Sequence, residues 1–325
     1  MRIHFPQPLL GCLPLLIPSL LLADANLSSP IAGYVADPSQ PVLRTISGVP
    51  GAYLFSDPIP LPDGVTRIHL APGPDYALIE SGDAAPAVLF LSAGAVDHVA
   101  PLPGAMPAAD WVAFSASGRA AVLFSSSAQR LQLLTGLPAA PQLALDLDAS
   151  TFPEQPLSAA LSDDGSLLLI ASRNSVYRLS PGGPPQLLLS VGRIVSLAVL
   201  RNGAGVAVSD ASTASIHLLR NLDSTLDIRV LVSGLSGIGR LYPATDGATL
   251  FVARPAAKAV LAVDLASGDI QTFPTSTAPV QLVPLRNRDT FLISAKPGQP
   301  GSVFWRDGNA GRFVFIPAII QEVVQ

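Results

Sequence analysis

The side chains best suited to acid–base or metal chemistry are few and scattered in this chain. Only three histidines, His69, His98 and His217, lie beyond residue 25, and no two share the short spacing of metal ligands. His98 follows Asp97, a carboxylate that could orient an imidazole base, but adjacent residues on a strand point to opposite faces. We therefore expect all three histidines to be isolated at the surface or at strand edges.

The carboxylates and serines form no recognisable catalytic set either. Glu80, Glu154 and Glu322 are the only glutamates, and neither of the first two has an evident paired acid for a two-carboxylate mechanism. The segment 163–165 could begin a calcium loop, but apolar residues follow it, which favours a hairpin turn. No Gly-x-Ser-x-Gly elbow or glycine-rich phosphate loop follows residue 25. The sequence thus predicts no catalytic residue, no cofactor and no metal site.

The composition favours short strands and tight turns over amphipathic helices. Hydrophobic residues make up 49% of the 325 residues and charged residues only 13%, about half the usual share. The 26 glycines and 32 prolines suit many turns, whereas long surface helices need a charged face. The net charge of -4 and the scattered basic residues argue against nucleic acid as a partner.

One pattern of apolar strands and turns recurs along the chain. In its clearest copy, an apolar segment at 157–161 leads to a turn at 162–165 and a second apolar segment at 167–170. The turn glycines at 118, 165, 203 and 247 are 47, 38 and 44 residues apart, and propeller blades repeat every ~40 to 50 residues. The turns combine Asp or Asn with Gly, which supplies the positive φ of a tight hairpin.

Six such repeats between residues 60 and 317 predict an all-β fold, a β-propeller of six four-stranded blades. An extra strand pair at 33–36 and 42–46 either closes the ring or extends it to a seventh blade. A β-sandwich would not repeat one hairpin turn six times, and a β-helix has a shorter period. Polar residues of the inner strands would line a central pocket or a water-filled channel: Arg67, Ser158, Ser196 and Arg240.

The first 25 residues have the three-part pattern of a secretory signal peptide. Residues 9–22 are almost entirely apolar, and Ala23 and Ala25 are the small residues that a signal peptidase reads before Asn26. A membrane anchor is the alternative, but the apolar stretch is short for a span of roughly 20 residues. We expect cleavage before Asn26.

The only cysteine, Cys12, lies inside this N-terminal segment. Residues 9–12 resemble a bacterial lipobox, which would make Cys12 a lipidation site, although most of the apolar region follows the cysteine. Cleavage before Asn26 would leave a mature chain with no cysteine and no membrane span. The expected organisation is a signal peptide at 1–25, a strand pair and linker at 26–59, propeller repeats at 60–317 and a tail at 318–325.

The repeats resemble those of a family of secreted bacterial propellers. The best copy has a turn and an aromatic strand at Asp246–Ala253, a second strand at Ala259–Asp264 and a turn at Ser267-Gly268. This order is similar to that of YVTN or lactonase-like repeats. The resemblance covers most of the chain at the level of the repeat and implies an exported β-propeller. It implies little about activity, because propellers carry unrelated functions.

Complete repeats without a catalytic constellation predict a non-enzymatic scaffold for binding or interaction. Its ligand would be a protein, peptide or glycan held on one face of the disc, in the periplasm, at the cell surface or outside the cell. The alternative is a lactonase-like hydrolase with a site at the propeller axis, which would need acidic residues and a metal at the axis mouth. A third interpretation is an inert structural component of a cell surface.

Overall fold

The computed structural model is an all-β ring of seven sheets. It describes residues 29–37, 40–73, 75–180, 182–201, 205–286, 289–293, 300–308 and 310–317. Over these residues it has 27 strands and one short 3-10 turn, Ala149–Thr151. The signal peptide predicted at 1–25 and the tail at 318–325 lie outside the described residues. Within the described part of the chain, no helix is long and apolar enough to cross a membrane.

Each sheet is one blade, and its antiparallel strands follow one another in chain order. Blade 1 has β1 (Ile31–Ala36), β2 (Leu43–Val49) and β3 (Ala52–Phe55). Blade 2 has β4 (Arg67–Leu70), β5 (Tyr76–Glu80), β6 (Ala87–Ser92) and β7 (Ala95–Pro101). Blade 3 has β8 (Trp111–Phe114), β9 (Ala121–Ser125), β10 (Arg130–Thr135) and β11 (Gln142–Asp148). Blade 4 has β12 (Ser158–Leu161), β13 (Leu168–Ala171), β14 (Ser175–Leu179) and β15 (Gln186–Ser190).

The last three blades also have four strands each. Blade 5 has β16 (Ile194–Val199), β17 (Val206–Asp210), β18 (Ser215–Arg220) and β19 (Asp227–Val232). Blade 6 has β20 (Leu241–Pro243), β21 (Thr249–Arg254), β22 (Ala259–Asp264) and β23 (Ile270–Pro274). Blade 7 has β24 (Leu282–Pro284), β25 (Thr290–Ile293), β26 (Gly301–Asp307) and β27 (Ala310–Ile316).

The second strands form the buried middle of the blades. The strands β5, β9 and β17 are buried at every residue, whereas the last strands β7 and β11 are mostly exposed. Neighbouring blades cover both faces of a second strand, so both of its faces must be apolar. A single blade would leave these faces in water, and the ring is what buries them.

The hairpin turns behave as the repeats predict. Gly118, Gly165 and Gly247 have φ values of 74°, 73° and 69°, while the fourth turn glycine, Gly203, lies outside the described residues. At Gly165 the packing is as restrictive as the dihedral angle. A Cβ there would lie 2.7 Å from the Cγ2 of Thr135 in blade 3, so a larger residue would have to displace that side chain.

Hydrophobic clusters fill the seven gaps between adjacent blades and show that the ring is closed. Between blades 7 and 1, Leu292 packs in one cluster with Ile46, and the amide of Arg286 donates to the carbonyl of Ala32 at 2.8 Å. The strand pair predicted at 33–36 and 42–46 therefore extends the ring. Together with β3, it makes a blade of its own, so the propeller has seven blades.

The first strands of blades 3 to 6 (β8, β12, β16 and β20) contact one another in order around the axis. Near the beginning of these strands, the amide of Leu241 donates to Oγ of Ser196 at 3.0 Å. Past their ends, the amide of Ser117 donates to Oδ1 of Asp163 at 2.9 Å. We call the face where the first strands begin the start face. The opposite face, the turn face, carries the turns that follow them, such as 115–118, 162–165 and 244–247.

Candidate functional site

A central cavity of about 1090 Å³ follows the axis of the ring. The first strands of blades 3 to 7 (β8, β12, β16, β20 and β24) and the turns after them form most of its wall. Residues from both ends of these strands line it, so the cavity extends from the start face towards the turn face. Its volume is sufficient for a small organic molecule.

Three of the four inner-strand residues expected to line the axis do so: Ser158, Ser196 and Arg240. The fourth, Arg67, does not lie among the lining residues. Its Nη1 donates to the carbonyl of Ala109 at 2.6 Å and so ties blade 2 to the segment that leads into blade 3. The expectation was wrong for Arg67 because an inner-strand side chain can lean into a blade seam instead of the axis.

Arginine supplies most of the charge in the cavity wall. Arg119 and Arg201 lie in the turns after β8 and β16, and Arg240 lies just before β20; all three are exposed. No carboxylate among the described residues lies within ion-pair distance of any of the three. The fourth lining arginine, Arg286, is instead paired with Asp75, at 2.5 Å between Nη2 and Oδ2.

The acidic and phenolic groups of the wall are already engaged. Asp289, the one carboxylate among the described lining residues, accepts hydrogen bonds from the amide of Thr245 at 2.8 Å and from its hydroxyl at 3.1 Å. The hydroxyl of Tyr242 accepts a hydrogen bond from the amide of Leu282 at 3.1 Å and another from the side chain of Arg240. Burial raises the pKa of this tyrosine, and the charge of Arg240 partly opposes the shift.

Asp163, a carboxylate that interacts electrostatically with Arg201, is also held locally. Burial raises the pKa of Asp163, but hydrogen bonds from Ser117 and the more distant charge of Arg201 bring the pKa below its ordinary value. Asp163 therefore stays ionised while it caps the neighbouring turn. It lies outside the cavity lining, and the guanidinium of Arg201 remains available to a ligand.

The histidines are not isolated as the sequence suggested, and this expectation was wrong. Nε2 of His69 lies 2.9 Å from Oε1 of Glu80, whose side chain is only 4% exposed. Nε2 of His217 lies 3.0 Å from Oγ of Ser215. The pairing of β4 with β5 sets Glu80 opposite Arg67 and diagonal to His69. Recognising that hairpin pairing would have revealed the pair.

His98 also has a partner, and the argument that separated it from Asp97 fails for a local reason. Nδ1 of His98 lies 2.7 Å from Oδ2 of Asp97, with both side chains more than half exposed. In the pairing of β6 with β7, Phe90 opposes His98 and Leu91 opposes Val96, so Asp97 is the extra residue of a β-bulge. A bulge interrupts the alternation of side chains between faces. None of the three histidines lines the axial cavity.

Asp210 anchors the most extensive hydroxyl network in the described chain. It is 1% exposed and accepts hydrogen bonds from the hydroxyls of Ser212 and Thr213, both at 2.7 Å, and from the amide of Arg193 at 3.0 Å. Burial raises the pKa of Asp210, but these hydrogen bonds outweigh it and hold the pKa below its ordinary value. The network closes the turn between β17 and β18 and lies away from the cavity lining.

No group of three or more potential metal ligands comes together among the described residues. The described wall of the cavity is made of arginines, one carboxylate held by Thr245, one glutamine, hydroxyls, backbone and apolar side chains. Such a wall can bind and orient a molecule that carries negative charge. It brings together no acid–base pair from the described residues.

No family model matches the chain. No curated protein resembles it significantly in sequence. Among solved structures, a functionally unknown protein from Desulfotomaculum acetoxidans matches with a TM-score of 0.58 and 16% identity, over 89% of this chain and 100% of that one. A candidate 6-phosphogluconolactonase from Bacteroides uniformis matches with a TM-score of 0.56 and 17% identity, over 88% and 95%. A second, from Bacteroides fragilis, matches with 0.56 and 15%, over 90% and 94%. At these identities the likeness shows the fold alone.

Proposed function

We propose that this chain is a binding propeller whose axial cavity holds a small anionic ligand without transforming it. One observation carries the proposal. Arg119, Arg201 and Arg240 line the axial cavity without an ion-pair partner among the described residues, and the single described carboxylate of the wall, Asp289, is held by Thr245.

Electrostatics in a cleft favours such a ligand. Walls of low dielectric constant focus the field of like charges and raise the local concentration of an oppositely charged molecule. The planar guanidinium matches a carboxylate or phosphate with two parallel hydrogen bonds, which adds geometric specificity to the attraction. An arginine that already pairs with a structural carboxylate cannot offer these two hydrogen bonds to a ligand. Arg119, Arg201 and Arg240, which have no described carboxylate partner, are therefore the recognition groups.

The same wall supports binding over catalysis. Hydrolysis of an ester or lactone needs a group that activates water and a group that stabilises the developing oxyanion. Arginines could serve the second role, but no histidine or free carboxylate of the described wall serves the first. The predicted partners, a protein, a peptide or a glycan, stay predictions; an acidic group on any of them would suit this cavity.

A lactonase-like hydrolase is the second candidate function. Two solved structures with the same fold are candidate 6-phosphogluconolactonases, and the repeats resemble YVTN or lactonase-like repeats. The purified chain should be incubated with aldonolactones, including 6-phosphogluconolactone, with and without divalent metals. Turnover abolished by Asp289→Asn would establish this candidate and remove the non-enzymatic proposal.

The binding proposal is tested by calorimetric titration of the whole chain with 6-phosphogluconate, citrate and inorganic phosphate. The double variant Arg119→Gln, Arg201→Gln should lose affinity by about tenfold or more, because each charge-assisted hydrogen bond contributes ~1.5–3 kcal/mol. The matched control is Arg312→Gln, which removes an exposed arginine from the outer strand β27. Equal loss in the control, or no binding of any anion, would refute the proposal.

Export belongs to the same proposal and rests on the N-terminal pattern alone. A periplasmic or surface protein with an anion-binding cavity would meet its ligand outside the cytoplasm. Expression of the full chain in a bacterial host, followed by mass measurement of the recovered protein, tests cleavage before Asn26. A mature mass beginning at Asn26 supports export by a signal peptidase. A lipid-modified Cys12 would show the lipobox alternative to be right, and an intact N-terminus would contradict both.

A further inference from the structure

We infer that the ligand is an elongated dianion, with one anionic group at each end of the axial cavity and an apolar middle. This inference rests on the proposed function and adds the ligand's shape and charge distribution to it.

The three arginines that have no carboxylate partner among the described residues lie at opposite ends of the cavity. Arg119 and Arg201 follow the last residues of β8 and β16, and hence lie at the turn face. Arg240 precedes the first residue of β20, and hence lies at the start face. The bond from the Leu241 amide to Ser196 places the beginnings of adjacent first strands side by side, so this assignment of ends follows from the pairing.

The length of a first strand sets the scale of the ligand. The strand β16 has six residues, so its ends are roughly 17 Å apart at about 3.3 Å per residue. Arginine side chains at both ends can lean into the channel, which makes the separation of the two anionic groups shorter than the strand. A compact anion such as phosphate can reach one end at a time.

The wall between the two ends is mainly apolar. Ala113, Leu197 and Val283 belong to the middle of β8, β16 and β24 and line the cavity. The hydroxyl of Ser196 in the same region is already engaged by the Leu241 amide. Ser158 adds one more hydroxyl to this part of the wall. An alkyl segment is preferred over a polyhydroxylated one in the middle of the channel, because the apolar side chains offer no partner to most of the ligand hydroxyls that would lose water there.

The fourth lining arginine does not change this pattern. Arg286 lies at the turn face, but both its Nε and its Nη2 donate to the carboxylate of Asp75, at 3.0 and 2.5 Å. Its charge is thereby neutralised. Among the described residues, no carboxylate neutralises the two other guanidinium groups at the turn face or the one at the start face. The start-face group, Arg240, is hydrogen-bonded to the hydroxyl of Tyr242, so the two ends of the ligand are held with different strength.

The experiment compares linear dicarboxylates of increasing chain length, from succinate to sebacate, with nonanoate, a monocarboxylate, and with an alkyl bisphosphonate. Calorimetric titrations use the whole chain, Arg240→Gln, the double variant Arg119→Gln, Arg201→Gln, and Arg312→Gln as control. Azelate should bind about tenfold or more tightly than nonanoate, because the second anion gains an arginine partner. Arg240→Gln should reduce azelate to the affinity of nonanoate, and the control should change nothing.

The outcomes distinguish failure of the elongated-dianion inference from failure of anion binding itself. An affinity that peaks at one dicarboxylate length and falls in both end variants supports the elongated dianion. A preference for the bisphosphonate over dicarboxylates of equal length identifies phosphate as the anionic group and supports the same shape. Equal affinity for azelate and nonanoate, with Arg240→Gln indifferent, overturns the inference while compact anions still bind. Failure of every anion, compact ones included, refutes the proposed function itself.

Discussion

Two sets of arginines in this propeller differ in what they face. Arg306 crosses the seam between blades 7 and 6: Nη2 donates to Asp246 at 2.8 Å, Nη1 donates to Thr249 at 3.0 Å, and the guanidinium lies 5.6 Å from the ring centroid of Phe251. Arg119, in contrast, lines the cavity without a described carboxylate within ion-pair distance. An arginine with a partner across a seam holds two blades together. An arginine without one is free to hold a ligand.

Arg286 belongs to the first set and shows how a seam arginine can close the ring. From blade 7 it donates to Asp75, which precedes the second strand of blade 2, and to the carbonyl of Ile31 in blade 1 at 3.2 Å. It also lies 5.5 Å from the ring centroid of Tyr34. One side chain thus touches three blades around the point where the first and last blades meet. Its contribution is structural although it borders the cavity.

The largest expected effect on the free energy of unfolding comes from the apolar seam between blades 6 and 7, next to Arg306. Phe304 is fully buried, and its ring lies 5.0 to 6.5 Å from the rings of Phe251, Phe273, Phe291 and Phe313. Phe304→Ala should lower the free energy of unfolding by ~3–5 kcal/mol, because the cavity it leaves cannot collapse between two rigid sheets.

The control for this variant is Phe315→Ala, on the neighbouring strand β27. Phe315 is 64% exposed, so its removal should change the free energy of unfolding by less than ~0.5 kcal/mol. Chemical denaturation followed by tryptophan fluorescence measures both. A similar loss in the two variants would mean that the seam is not a packed core.

The next effect tests whether Arg306 is structural. Arg306→Gln removes an ion pair, a hydrogen bond to a hydroxyl and a cation–π contact, each partly screened by water. We expect a loss of ~1 kcal/mol in the free energy of unfolding and no change in anion affinity. Arg312→Gln, on the next strand, should be neutral in both measurements. Loss of anion binding in Arg306→Gln would erase the distinction between the two sets.

The pH dependence of the same seam gives a smaller effect. Burial raises the pKa of Asp246, but hydrogen bonds from Ala248, Thr249 and Arg306 outweigh it and leave the pKa lowered. A carboxyl with a lowered folded-state pKa stabilises the fold above its unfolded pKa of about 3.9, and this stabilisation is lost as the pH falls through the folded value. The melting temperatures of the native chain and of Asp246→Ala should therefore differ at pH 7 and converge below pH ~3. A difference that persists in acid would contradict an ionic role.

The smallest expected effects on stability come from the ion pair between Asp75 and Arg286 and from the cavity arginines. A double-mutant cycle on Asp75→Asn and Arg286→Gln should give a coupling free energy below ~1 kcal/mol, because both side chains are about one-third exposed. The coupling should fall as salt is added.

The cavity pair Arg119→Gln, Arg201→Gln should change the free energy of unfolding by less than ~0.5 kcal/mol, or even stabilise the fold by relieving repulsion. A large destabilisation would show that these arginines are structural.

The repeat pattern was readable from the sequence because it follows local chemistry. Turn glycines such as Gly165, with φ of 73°, and the apolar second strands after them occur at nearly regular intervals. Blade number was harder to predict. The strand pair before the first repeat was recognised, but β3, the four-residue strand Ala52–Phe55 in the predicted linker, was missed. It is too short to show a pattern of its own and is defined by its pairing with β2.

The candidate site was predicted only in part. Ser158, Ser196 and Arg240 were expected at the axis because they lie on or beside the first strand of a repeat. Arg119 and Arg201 were missed because they lie in turns, where residue type alone does not tell a solvent-facing side chain from one at a cavity mouth. The contact of His98 with Asp97 was excluded by strand alternation and occurs because of a bulge that no local signal marked.

By itself the sequence determined that this chain is a ring of repeated β-blades, because strand patterning and hairpin glycines act over a few residues. The tertiary structure alone decided which arginines are paired with a carboxylate and which have none within ion-pair distance among the described residues. The partners of Arg286 and Arg306 lie 211 and 60 residues away along the chain. They meet only when the blades close on one another. The charge left without a partner, on which the proposed function depends, is thus a property of the closed ring.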